Sequence, residues 1–139
     1  MDKPGLTVVS LVPLLNVQDV ARSLEFYTSV LGFTVLSKLE TDGRLTWARV
    51  GSGAVELMLN TSEVAGTEKN AASRRVDAGT FSDVVLYFEV PDVDALHAKL
   101  KMQGVLVSPP FDTHYGAREM HARDFDGYQL AFTSPLEAA

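Results

Sequence analysis

The chain has 139 residues, 46% of them hydrophobic, and no cysteine. That is enough apolar material for one compact domain or two small fused modules, and it excludes disulfides, thiolate metal ligands and a cysteine nucleophile. Twelve Lys and Arg against eighteen Asp and Glu leave a net charge of −6, which disfavours nucleic acid, because phosphate neutralisation supplies most non-specific affinity there.

Strand 1 is expected over Thr7 to Leu15, with Pro13 marking an edge or an irregularity because it cannot donate to a ladder. Asp19 then suits a helix N-cap, and Val20, Leu24, Tyr27 and Leu31 recur at helical spacing. Gly32 is placed to end that helix with a positive φ. Strand 2 follows over 34–40, an Asp42-Gly43 turn, strand 3 over 45–50, a Gly51-Ser52-Gly53 loop and strand 4 over 54–59. The first module, 7–60, therefore reads βαβββ.

Residues 61–80 are polar and rich in Gly, Ala and Ser, with a short helix conceivable around 68–76. Such a segment is a connector or a lid. The densest basic cluster, Arg74-Arg75, falls in it and reads as a solvated linker. The second module, 81–133, repeats the pattern: strand 5 over 82–90, a helix over 93–103 behind Asp92, Gly104, strand 6 over 105–107, and a Pro-rich loop over 108–116. Strand 7 over 118–123, an Asp124-Phe125-Asp126-Gly127 turn and strand 8 over 128–133 complete it, with a frayed tail from Ser134. The matched order of strand, Asp cap, helix, Gly and strand argues for an internal duplication.

No apolar run reaches membrane-spanning length. Residues 1–5 lack the basic, apolar and small-residue order of a signal peptide. A cytoplasmic protein without membrane contact is expected.

Val17-x-Asp19-x-x-x-Ser23-x-x-Phe26-Tyr27-x-x-x-Leu31-Gly32-Phe33 resembles the first-module signature of the vicinal oxygen chelate superfamily, which holds glyoxalases, bleomycin-resistance proteins and extradiol dioxygenases. Tyr115-Gly116-Ala117-Arg118-Glu119 and Arg123-Asp124-Phe125-Asp126-Gly127-Tyr128 resemble its second-module signature, with Phe125 where Pro is usual. The resemblance implies an α+β fold of two tandem βαβββ modules that form a curved eight-stranded mixed sheet around one cavity. It also implies a homodimer.

Metal-dependent members resemble one another in four ligands on the inner sheet face. By that resemblance the ligand positions fall here on Val12, Glu56, Val85 and Ala131. Three of these side chains have no lone pair to give, and catalytic metals usually take about three protein ligands. The expectation is no metal, no cofactor, and a more apolar cavity. Glu56, in an apolar strand, is a ligand-contacting carboxylate or general base, or else a Glu salt-bridged to Arg49 or Arg118. Trp47, Tyr87, Phe111 and Tyr115 are core aromatics or walls of a site for an aromatic or cationic molecule. His97, His114 and His121 each read as surface or hydrogen-bonded residues, and no nucleophile motif stands out. The ligand-binding set is then Glu56, Trp47, Tyr87, Val12, Val85, Ala131, Phe111, Tyr115 and Arg118. The function expected is metal-independent binding of a small organic molecule, as in bleomycin-resistance-type proteins. The rival is a glyoxalase-like lyase, isomerase or dioxygenase using Glu56 as base or a non-standard metal set.

Overall fold

The structure, a computed structural model, describes residues 7–61 and 84–136. Contacts divide the chain into two compact units, Met1–Ser62 and Glu63–Ala139. The first holds β1 (Leu14–Val17), α1 (Val20–Glu25), a π-helical turn (Phe26–Val30), β2 (Thr34–Thr41), β3 (Arg44–Ser52) and β4 (Val55–Thr61). Its sheet has the order β1-β4-β3-β2, with β1 parallel to β4 and the other pairs antiparallel.

Local chemistry explains these elements. Asp19 caps α1 by accepting from Arg22 N–H at 3.1 Å, which satisfies one of the orphan donors of the first turn. Asp42 and Gly43 both have positive φ, 53° and 78°, as a two-residue hairpin between twisted strands requires. The core alternates along the strands: Ala48, Val50, Leu57 and Leu59 are buried with Leu15 and Val17. Against them pack Val20, Ser23, Phe26 and Tyr27 of the helix, and Phe33.

The buried stripe differs from the expected Val20, Leu24, Tyr27 and Leu31, because Leu24 and Leu31 are only half-buried and Phe26 takes their place. From Phe26 the helix widens, with Leu31 N–H reaching back five residues to the Phe26 carbonyl at 3.3 Å. The wider turn rotates later residues off the 3.6 period and turns two adjacent aromatics inward. Strand 1 is also shorter than expected. Pro13 has no N–H to give, so the ladder starts at Leu14, and Pro13 contributes only its carbonyl, to Met58 N–H at 2.8 Å. Val8, Val9 and Leu11 precede the strand and are exposed.

The second unit holds β5 (Val85–Glu89), α2 (Val93–Met102), β6 (Leu106–Val107), β7 (Phe111–Asp112), β8 (Ala117–Arg123) and β9 (Gln129–Pro135). Its order is β5-β9-β8-β6, with β7 also paired to β8. The plan of the first unit returns. The first strand lies parallel to the last, Asp92 caps the helix through Ala95 N–H at 3.1 Å, and Gly104 ends it at φ 76°. Val93, Leu100, Val105, Met120, Ala122, Leu130 and Phe132 form the core. Two βαβββ modules of an α+β fold are thus present, as sheets of four and five strands.

Three boundaries are corrected. The loop expected over 108–116 contains β7, whose Phe111 and Asp112 pair with Glu119 and Arg118. The tail expected to fray at Ser134 stays in β9 to Pro135, because Ala117 and Arg118 pair with it and bury Ser134. Gly51 and Ser52 belong to β3, opposite Glu56 and Val55, so the hairpin turns only at Gly53, φ 58°. The expected linker over 61–80 and its short helix lie, from residue 62 on, outside the described residues.

Candidate functional site

Each sheet has one face covered by its helix and one face without it. In the first unit, strand alternation and register place Trp47 and Arg49 of β3 and Glu56, Met58 and Asn60 of β4 on the helix-free face, beside Leu14 and Asn16 of β1. Trp47 and Glu56 are therefore brought to one face. Glu56 is not free: Arg49 donates through both Nε and Nη2 to its Oε1, each at 2.6 Å. Of the two partners proposed for Glu56, the structure selects Arg49. Val12 lies just ahead of β1 and is half-buried.

In the second unit three rows cross the helix-free face. Val85, Gln129, Arg123 and Leu106 form one; Tyr87, Ala131 and His121 the next; Glu89, Thr133, Glu119 and Phe111 the third. Val85, Ala131, Tyr87 and Phe111 of the expected set thus share this face. Arg118 does not. It alternates to the helix side of β8, where its Nη2 meets Asp94 of α2 and its Nη1 meets Asp112, each at 3.0 Å.

Glu119 and His121 are absent from the expected site, and the structure joins them by a hydrogen bond on this face. Glu119 is 3% exposed. Its Oε1 accepts a short hydrogen bond from the Tyr115 hydroxyl, and its Oε2 lies 2.9 Å from His121 Nε2. Tyr115 is brought back over Glu119 by a turn that Gly116 allows at φ 85° and that Thr113 ties through its Oγ1 to Ala117 N–H at 3.0 Å. Phe111 meets His121 edge-on, with ring centroids 5.7 Å apart. The signal was present in sequence: Glu119-Met120-His121 alternates polar and apolar, so both polar residues share a face.

Burial pushes the Glu119 carboxyl up, but the hydrogen bonds from Tyr115 and His121 and the positive charge His121 can carry outweigh it, leaving the carboxyl below its ordinary 4.5. The same bond holds the Tyr115 phenol above its usual range, helped by burial and the negative charge beside it. A carboxyl depressed in the folded state contributes stability above its unfolded value and loses it as pH falls through the folded one. Acidification from the ordinary glutamate range downward is therefore expected to lower the melting temperature of the wild type more steeply than that of Glu119→Gln. Parallel melting curves across that acid window check it; coincident slopes would contradict it.

The four positions to which the resemblance assigns metal ligands supply one carboxylate, Glu56, already engaged by Arg49, while the side chains of Val12, Val85 and Ala131 offer no donor. Among the described residues no three His, Cys, Asp or Glu are grouped to hold an ion. The residues present do not fit that metal. No helix among the described residues is long and apolar enough to cross a membrane.

Solved structures with the same fold include TioX from Micromonospora sp. ML1, at 23% identity and a TM-score of 0.70, covering 93% of this chain and 100% of that one. TnmS3, an antibiotic binding protein from Streptomyces sp. CB03234, is 23% identical with a TM-score of 0.61, over 93% of this chain and 98% of its own. The fosfomycin resistance protein FosX from Listeria monocytogenes is 14% identical with a TM-score of 0.67, over 93% of both chains. No curated protein matches the chain. The model of the Glyoxalase/Bleomycin resistance protein/Dioxygenase superfamily matches residues 7–132. The match takes in both capped helices and both sheets, and it makes this chain a member of that superfamily.

Proposed function

We propose that the protein binds a small organic molecule, aromatic or cationic, without a metal ion, as a cytoplasmic homodimer. The observation that carries this reading is the replacement of metal donors by Val12, Val85 and Ala131 together with the Arg49–Glu56 pair. What remains on the helix-free faces is aromatic and polar: Trp47 in one unit, Tyr87, Phe111 and Tyr115 in the other. Such surfaces suit planar ligands better than catalysis at a metal. The antibiotic-binding and resistance proteins of the same fold support a sequestering role. In the rival reading, a glyoxalase-like enzyme with Glu56 as base, one oxygen of that carboxylate, Oε1, is already engaged by Arg49.

The protein has one tryptophan, so fluorescence excited selectively at the indole reports on Trp47 alone. Titrating chelator-treated protein with neutral, cationic and anionic polycyclic aromatics is expected to give saturable quenching or a calorimetric binding isotherm for at least one class. Binding that appears only when a divalent metal is restored would overturn the metal-independent reading.

The homodimer rests on β2, an edge strand with all eight residues exposed, Val35, Leu36 and Leu39 among them. An unpaired apolar edge needs cover, and two-fold pairing is the commonest closure. Sedimentation at micromolar concentration is expected to give twice the chain mass; a single 15.1 kDa species would remove the proposal.

A further inference from the structure

Asp42 and Gly43 make up the whole turn between β2 and β3, and both are exposed. Asp42 is the one non-glycine residue with a positive φ among the described residues, 53°, and Gly43 follows at 78°. Neither the Asp42 carboxyl nor the Gly43 N–H has a hydrogen-bond partner among the described residues. Apart from its chain neighbours, no heavy atom lies within 4 Å of the point where a side chain on Gly43 would begin. A carboxyl and the next amide nitrogen thus stand together in the open, with no Cβ on the second residue to hinder their approach.

Asp126-Gly127 is the chain's other Asp-Gly pair, and it is held differently. Asp126 is 1% exposed. Its N–H donates to Asp124 Oδ1 at 2.9 Å, and the Gly127 N–H donates to the Asp124 carbonyl at 3.1 Å. Tyr128 N–H adds a further bond to Asp124 Oδ1, also at 2.9 Å. Turning the Gly127 nitrogen toward the Asp126 carboxyl would break a bond inside this tied turn and leave its groups unsatisfied.

We propose that Asp42 is a site of spontaneous isoaspartate formation in the folded protein, while the fold protects Asp126. The Gly43 nitrogen attacks Cγ of the protonated Asp42 carboxyl. A C–N bond forms, the amide proton leaves with the carboxyl hydroxyl as water, and a cyclic imide results. Water then opens the ring. Attack at the former side-chain carbonyl restores aspartate; attack at the main-chain carbonyl leaves the chain running through the side chain. One water leaves and one returns, so no other reactant is consumed. Isoaspartate adds a methylene to the main chain of a turn whose length sets the pairing of Thr41 with Arg44. The change therefore falls at the end of the edge strand β2.

The test follows both pairs in one sample. Trypsin, cutting after Lys38, Arg44 and Arg123, puts them on different peptides. Native protein is kept at physiological temperature and near-neutral pH, sampled over weeks and digested. Isoaspartate is counted in each peptide by methyl transfer from S-adenosylmethionine with an isoaspartyl methyltransferase. It is expected to accumulate in the peptide Leu39–Arg44 and to exceed that in the peptide beginning at Asp124 by about tenfold or more, because an exposed turn opens at almost no free energy and a buried one only by local unfolding. In guanidinium, with the chain unfolded, the gap should close. Incubation in oxygen-18 water should label Leu39–Arg44, since ring opening takes its oxygen from solvent. No isoaspartate in native Leu39–Arg44, equal accumulation in the two native peptides, a gap that persists in guanidinium, or isoaspartate without the label would each overturn the proposal.

Discussion

Tyr27→Ala is expected to cost about 3–5 kcal/mol of stability, the range for removing a buried aromatic ring. Tyr27 is fully buried. It meets Phe26 edge-on at 5.1 Å and Phe33 at 6.0 Å, so two ring contacts are lost with it. Val20, Leu57 and Leu59 of the same unit are themselves buried. The neighbouring helical position makes the contrast. By the 3.6 period Leu24 ranks with Tyr27, yet it is half-buried while Phe26 is buried. Leu24→Ala should therefore cost only about 1–2 kcal/mol. Urea unfolding of both variants measures the pair, and equal losses would contradict the difference in burial.

The fold was legible where punctuation is strong. Asp19 and Asp92 announce caps, Gly32 and Gly104 announce stops, and each does so in the structure. Asp42-Gly43 announces a hairpin and makes one. Boundaries failed where pairing partners decide them. Nothing local to Phe111 and Asp112 marks a strand; they become one because β8 offers an edge there. Ser134 looks like a tail residue until Arg118 pairs with it. The π turn was illegible for a related reason, since it is set by which rings the sheet accepts rather than by helix propensity.

The site was legible in part. Family positions led to Val12, Val85, Ala131 and Glu56, and alternation correctly put Tyr87 with Val85 and Trp47 with Arg49. Glu56 stands out as a charge in an apolar strand, whereas Glu119 lies between Arg118 and Met120 in a strand with three other basic or polar side chains, Arg118, His121 and Arg123. In one dimension a surface salt bridge to Arg118 or Arg123 reads equally well for it. Only the third dimension separates them: Arg118 turns to Asp94 on the helix side, and Glu119 turns to Tyr115 and His121 on the other. Tyr115 enters the expected set as an aromatic outside the helices, and the turn at Gly116 is what brings it to a buried carboxylate.

Phe132→Ala is the other substitution with a large expected effect, about 3–5 kcal/mol. Phe132 is 1% exposed and stacks on Phe88 with ring centroids 5.4 Å apart. It follows Ala131 in β9 and so points to the opposite, helix-covered side of the sheet. Tyr87 stands in register with Ala131 on the helix-free side and is 60% exposed. The two faces of one sheet should then separate core from site. Tyr87→Ala should move stability by no more than about 0.5 kcal/mol while weakening any aromatic ligand bound on that face. Phe132→Leu, which keeps most of the buried volume, should lower stability and leave ligand affinity unchanged so long as the protein is folded. Denaturant unfolding and calorimetric titration of both variants with one polycyclic aromatic probe measure the separation. If Phe132→Leu abolishes binding in folded protein, or if Tyr87→Ala leaves binding intact, the helix-free face of the second sheet is not where the ligand sits.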